Sequence, residues 1–238
     1  MSYSRLEINR RFPRWNCNQY SDGEWCGYEY YDQFEGKDSN PNKKPDFNPL
    51  VKAVFDTRQG PFDIYTLGPV LHISRGFMIS TKMKSILPDY KLSEYVIFDN
   101  IKYTFKGQMR DDLSFIYFYK DFSTFVDYRN SVFWAVKSDF RRIDGKIREA
   151  DVIDKNIQIL SQQDCLNKIE FYAKEKLRIK RQEICCPEAM KYDIFSIIKG
   201  PTEWGVYVSE KLRQRFRQEK IKGVNYASNM FFNFSCGS

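Results

Sequence analysis

The sequence predicts an α+β fold: a mixed or antiparallel sheet with a few helices, built around two related strand–helix–strand units. Three observations predict it. The chain has 238 residues, 42% of them apolar, with 20 Phe and 16 Tyr, and aromatic residues of this kind favour strands. Strand-like and helix-like segments follow one another without the regular rhythm of βαβ units. Two segments far apart in the chain also repeat one pattern.

The first copy reads Asp63-Ile64-Tyr65-Thr66-Leu67, then Gly76-Phe77-Met78-Ile79-Ser80-Thr81-Lys82-Met83-Lys84. The second reads Asp193-Ile194-Phe195-Ser196-Ile197, then Gly205-Val206-Tyr207-Val208-Ser209-Glu210-Lys211-Leu212-Arg213. The offset is 130 at the Asp and 129 at the Gly, so one single-residue gap aligns them. In each copy an apolar run predicts a strand, and the Ser after it is a good helix N-cap, because its hydroxyl accepts from an amide of the first turn. Met83 with Leu87, and Leu212 with Phe216, are spaced to share a helical face. Pro88 predicts the end of the first helix and Gly223 the end of the second. Tyr95–Phe98 and Val224–Tyr226 are the strands expected next. The related units thus span about 63–98 and 193–226. Copies this far apart do not form a solenoid; they predict one domain of approximate twofold design, or two lobes.

Between the copies, Lys102–Phe105 alternates as a strand does, and Phe115–Tyr119 and Val132–Val136 predict buried strands. Asp127–Ser131 predicts a turn, and Asp164–Arg178 a helix with Leu166, Ile169 and Tyr172 or Ala173 on one face. Length allows one large domain or two small ones. Residues 1–60 read as an irregular N-terminal segment packed on the main domain, 61–238. The stretch 36–49, rich in Gly, Pro, Asn and Asp, predicts a loop.

The formal net charge is +7, which suggests an acidic partner, but charge is uneven. Residues 22–38 hold six acids against Lys37, whereas 210–222 hold six bases against two acids. No stretch reaches the ~18 apolar residues of a membrane helix. The charged N-terminus does not resemble a secretory signal, so the expected compartment is the cytoplasm and no membrane partner is expected. Free thiols are then expected for Cys17, Cys26, Cys165, Cys185, Cys186 and Cys236, which show no metal-like spacing. A Cys17–Cys26 loop is the alternative.

Chemistry is hard to find in this sequence. The one histidine, His72, has no carboxylate near it in sequence, and triads and most catalytic zinc sites need a well-placed imidazole. No Gly-rich phosphate loop occurs, and Cys185-Cys186 is not a Cys-x-x-Cys dithiol. Asp111-Asp112 fits a solvated turn as readily as a cation site. No enzyme activity, cofactor or metal is therefore expected. On the helix around Lys211–Arg217, Arg213 and Arg217 share a face that suits phosphates or plain solvent. The acidic aromatic stretch suits a basic protein partner. Its candidate contact residues are Trp25, Tyr28, Glu29, Tyr30, Tyr31 and Asp32, since Trp and Tyr supply large contact area at low entropic cost. The bland alternative is that these aromatics pack as a strap over a sheet.

Val208-Ser209-Glu210-Lys211-Leu212-Arg213, with Ile221-Lys222-Gly223-Val224 after it, resembles the C-terminal signature of a family of bacterial immunity proteins. These accompany polymorphic toxins, including those delivered by type VI and contact-dependent secretion. Asp193-Ile194-Phe195 is similar to the strand that precedes that signature. Asp127 and Ser131 fit a family pattern in which Trp usually follows the Asp, where this chain has Tyr128. The resemblance covers about residues 60–228. It implies a cytoplasmic protein that neutralises a cognate toxin, encoded by a neighbouring gene, through direct contact and without catalysis. It transfers no site residues. The alternative is a basic nucleic-acid-binding protein.

Overall fold

The structure, a computed structural model, describes residues 2–8, 14–15, 42–44, 52–56, 62–66, 75–105, 108–143, 146–197 and 205–233. Divided into two structural halves between residues 105 and 108, the chain supplies from the first β1 (Ser2–Ile8), β2 (Arg14–Trp15), β3 (Lys52–Asp56), β4 (Ile64–Thr66), β5 (Gly76–Ser80), α1 (Thr81–Ile86) and β6 (Tyr95–Phe105). The second supplies β7 (Gln108–Phe118), β8 (Asp127–Lys137), β9 (Arg142–Ile143), β10 (Lys146–Ile147), β11 (Val152–Ile157), α2 (Gln162–Lys174), β12 (Leu177–Cys185), β13 (Ile194–Ile197), β14 (Gly205–Ser209), α3 (Glu210–Gln218) and β15 (Val224–Asn233). The fold class is α+β, as expected.

Two large sheets result, ordered β2-β3-β6-β7-β5-β4 and β11-β8-β12-β15-β1-β14-β13. Their pairing senses match strand for strand. Hairpin β4–β5 corresponds to β13–β14; β5–β7 and β7–β6 correspond to β14–β1 and β1–β15, all antiparallel. Then β6–β3 and β15–β12 are both parallel, and β3–β2 and β12–β8 both antiparallel. Both pairs are irregular: the register shifts between Phe98 and Ile101 and again between Ile101 and Tyr103 against β7, and between Ser4 and Leu6 against β15.

This correspondence exposes an exchange. Each half begins with one strand, β1 or β7, and that strand pairs inside the sheet of the other half. Within the segment expected to be irregular, residues 2–8 form β1, which sits between β14 and β15 inside the larger sheet. The signal was Leu6 and Ile8 alternating with Arg5 and Glu7, too short to stand out beside the polar residues that follow.

Other boundaries shift for local reasons. Tyr95–Phe98 and Lys102–Phe105 are parts of the single strand β6, joined across its irregularity. Asp127–Ser131 is not a turn but the start of β8. Its turn-like chemistry is spent on irregular pairing: Asn130 N–H donates to Asp127 Oδ1 (3.2 Å), and Ser131 Oγ accepts from Cys185 N–H on β12 (3.0 Å). α2 stops at Lys174, before the expected Arg178, because Lys176 adopts φ 56° and turns the chain into β12. α3 likewise ends at Gln218, with Lys220 at φ 53°. Gly223 is not its terminator. At φ 93° it lies so close to the other half that a Cβ would stand 2.7 Å from the Ile64 carbonyl oxygen, which is why only Gly suits the position.

Two apolar clusters hold the molecule. One joins the two sheets and their helices: Ile64, Phe77, Ile79, Met83, Ile86, Leu87, Ile116 and Phe118 pack with Ile194, Val206, Val208, Leu212 and Phe216. The other lies under the larger sheet and α2, with Phe122, Tyr128, Phe133, Cys165, Ile179, Phe195 and Tyr207 at its heart. Both helices α1 and α3 flank the first cluster. Lys82, at the start of α1, donates to the Glu219 carbonyl after α3, and Lys211, at the start of α3, stands 5.0 Å from the centre of the Tyr90 ring after α1. The helices therefore run side by side in opposite directions.

Candidate binding surfaces

The residues that repeat in sequence form one junction twice. Asp63 Oδ1 accepts the Ser80 hydroxyl (2.8 Å), and Ser80 Oγ accepts Met83 N–H (3.2 Å) in the first turn of α1. Asp63 Oδ2 accepts Lys222 N–H (2.8 Å), and Asp63 N–H donates to the Lys222 carbonyl (3.0 Å), both on the loop after α3. The second copy does the reverse. Asp193 Oδ1 accepts the Ser209 hydroxyl (2.6 Å), Ser209 Oγ accepts Leu212 N–H (3.2 Å), and Asp193 Oδ2 accepts Lys91 N–H (3.1 Å) on the loop after α1.

Each aspartate thus orients the cap of its own helix and clamps the loop that follows the other helix. An Asp–Ser pair invites comparison with an activated nucleophile, but the geometry describes a cap. The serine proton is held by the carboxylate, and the serine oxygen is engaged by a helix amide. These residues are committed to joining the halves.

The expected contact residues Trp25, Tyr28, Glu29, Tyr30, Tyr31 and Asp32 lie outside the described residues, as do His72, Cys17, Cys26 and Cys236. Asp111 and Asp112 are exposed on β7, where the Thr81 hydroxyl donates to the Asp112 carbonyl (3.3 Å). Among the described residues no group of three or more His, Cys, Asp and Glu is placed to hold a metal ion. Cys165, Cys185 and Cys186 are buried free thiols. Burial first, and the charge of Asp164 second, push the Cys165 thiol up to about 12, so it stays protonated and unreactive.

The strip once formed in expectation by Arg213 and Arg217 is split by the fold. Arg213 is buried beside Leu212 and pairs with Glu210 (2.5 Å), whereas Arg217 is exposed. Basic residues instead gather across the two helices, with Lys82 and Lys91 from the first half and Lys211, Arg217, Lys220 and Lys222 from the second, all exposed. Lys84 pairs with Asp99 (2.5 Å) and Arg215 with Glu219 (3.0 Å). The Lys84 ammonium and then the Ser114 hydroxyl hold the Asp99 carboxyl below its ordinary value. Tyr90, beneath Lys211, is raised by burial, opposed by the nearby Arg215 charge.

Large apolar side chains are also exposed on the second half. Ile153, Leu160, Leu166 and Phe171, from β11, α2 and the turn between them, are 54%, 59%, 40% and 61% exposed. The buried side of α2 uses Cys165, with Ile169 and Tyr172 packed against the same cluster; the outward positions of Leu166 and Phe171 are left over from that packing. Leu166, expected on the inner face with Ile169, is turned outward.

Among the described residues no helix is long and apolar enough to cross a membrane. No protein-family model, curated protein or solved structure matches this chain.

Proposed function

We propose that this chain is an immunity-type protein of the cytoplasm that binds and neutralises a cognate toxin by direct contact. One observation supports the reading. Asp193, Ser209, Leu212 and Gly223, which carry much of the resemblance to such proteins, are spent on clamping one half to the other. What they build is a rigid scaffold whose outer surface is left to meet a partner. Such a scaffold binds through aromatic anchors within a polar rim, and the stretch containing Trp25, Tyr28, Glu29, Tyr30, Tyr31 and Asp32 supplies anchors of that kind.

The test is co-purification of this chain with the C-terminal region of the protein encoded by the neighbouring gene, together with survival of cells that express both. Retention of that region and rescue of growth are expected; absence of both would sink the reading. Tyr28, Tyr30 and Tyr31, each replaced by Ala, then locate the contact. Weakened partner binding with unchanged thermal stability is expected, and lowered stability with unchanged affinity in all three would make the stretch part of the core. The second reading, nucleic-acid binding, draws on the cations around α1 and α3. Its mark would be affinity for duplex that falls steeply with salt.

A further inference from the structure

The face made by α1, α3 and the loops that follow them has an electrostatic character that neither segment announces alone. Residues 81–91 and 210–222 are 24 of the 238, and together hold nine basic residues against three acidic ones. That excess of six accounts for nearly all of the formal +7 of the whole chain. The two segments are more than a hundred residues apart, and the reciprocal clamps of Asp63 on Lys222 and Asp193 on Lys91 bring them to one surface. Ion pairs take up Lys84, Arg213 and Arg215. Lys82, Lys91, Lys211, Arg217, Lys220 and Lys222 are exposed on this face, and the acids of these two segments are Asp89, Glu210 and Glu219.

We propose that this paired-helix face is a docking surface for an acidic patch on a partner protein. The inference rests on the partner-binding reading above, and deepens it by naming the chemistry that one surface of the partner must carry. The acidic stretch around Tyr28, by contrast, suits basic groups.

Shape favours a protein occupant over the two other polyanions. Two helices side by side are roughly 20 Å across, whereas the major groove of DNA is about 12 Å wide and admits one helix. Carboxylates at Asp89, Glu210 and Glu219 are interleaved with the cations; they repel a uniform row of phosphates but find partners on a mixed protein surface. An anionic bilayer calls for apolar side chains that enter it, and none of the large exposed hydrophobic residues lies in these two segments. Charge of this kind acts chiefly by steering encounter, so its signature is an association rate that falls with salt.

The experiment compares the full chain with K211E/R217E/K220E and with the neutral K211Q/R217Q/K220Q, each checked by thermal melting. Three probes are used: the C-terminal region of the neighbouring-gene product, a polyglutamate peptide and a short DNA duplex. For the protein probe at low salt, about a 10-fold or greater loss of association rate is expected in the Glu variant and a smaller one in the Gln variant, with little change in dissociation. Raising the salt should erase the difference between wild type and variants. Polyglutamate should bind wild type and fail to bind the Glu variant, which tests the face even if the neighbouring-gene product does not bind at all; that last result would overturn the proposed function and not the chemistry of the face. Equal polyglutamate binding by wild type and Glu variant would overturn the inference. So would an unchanged association rate for a protein probe that does bind, or a duplex that binds wild type more tightly than either acidic probe.

Discussion

The two related units solve one problem with different amounts of structure. Both place an Asp before a strand hairpin, a Ser at a helix N-cap and two apolar residues of the helix in a shared core. The first helix is a single six-residue turn-and-a-half, finished by a 3-10 turn through Pro88, and the second runs for nine residues. After its 3-10 turn the first returns to the sheet through residues 90–94, and the second returns through residues 219–223. The second sheet also gains a long β8, an extra edge strand β11 and the helix α2. What is common lies where the halves touch, and what differs lies away from that contact. The junction tolerates little variation because each half completes the other: an altered cap in one disturbs a loop in the other.

The comparison breaks most decisively if the halves unfold separately. Met83 and Leu212 are both fully buried in the shared cluster. Met83→Ala and Leu212→Ala should each cost about 2–5 kcal/mol. Urea denaturation followed by fluorescence and by circular dichroism should show one coincident transition in each variant; two transitions would make the halves independent.

The clamps come next. Asp63→Ala and Asp193→Ala each remove the acceptor for a hydroxyl and for an amide of the opposite loop, and charge-assisted hydrogen bonds are worth roughly 1.5–3 kcal/mol each. Amide exchange should rise at Lys222 in the first variant and at Lys91 in the second. Exchange that rises only within the mutated half would refute the reciprocal arrangement.

The caps sharpen the contrast on a finer scale. Ser→Ala at an N-cap typically costs about 1 kcal/mol. Ser209 is buried, whereas Ser80 is half-buried and closer to water. Ser209→Ala should therefore lower the midpoint of thermal unfolding more than Ser80→Ala, since its orphaned amide and carboxylate find less solvent. Equal shifts would show that burial does not separate the two caps.

The smallest effect belongs to the addition that only the second half carries. Asp151, between β10 and β11, accepts from Arg148 (2.7 and 3.1 Å) and from Arg141 N–H (2.9 Å). The Arg148 guanidinium, followed by the Arg141 amide, holds its carboxyl down at about 2. A depressed carboxylate stabilises the fold above its unfolded value near 4, and the contribution is lost as pH falls through the folded value. Stability should accordingly decline between about pH 4 and pH 2 in the wild type and less in Asp151→Asn. Measuring the urea midpoint against pH checks this, and parallel curves would remove Asp151 from the account.

Much of the repeated unit was legible because its determinants are local. Ser80 and Ser209 cap their helices within three residues, the runs before them are apolar, and Met83 with Leu87 and Leu212 with Phe216 are set by helical spacing. Other local signals misled where a second requirement overrode them. Asp127 and Ser131 have turn chemistry but serve an irregular strand pair. Gly223 looks like a helix terminator and is instead demanded by the carbonyl of Ile64.

By itself, then, the sequence determined the α+β class, the two capped units and the absence of familiar phosphate-loop and dithiol motifs, since propensity, capping and periodicity act over a few residues. Only the tertiary structure decided that β1 and β7 are exchanged between the sheets, that Asp63 and Asp193 hold opposite loops, and that two short basic segments share one face. The reason is separation along the chain. Strand pairing and charge summation depend on which distant segments become neighbours, and no window of a dozen residues contains both partners.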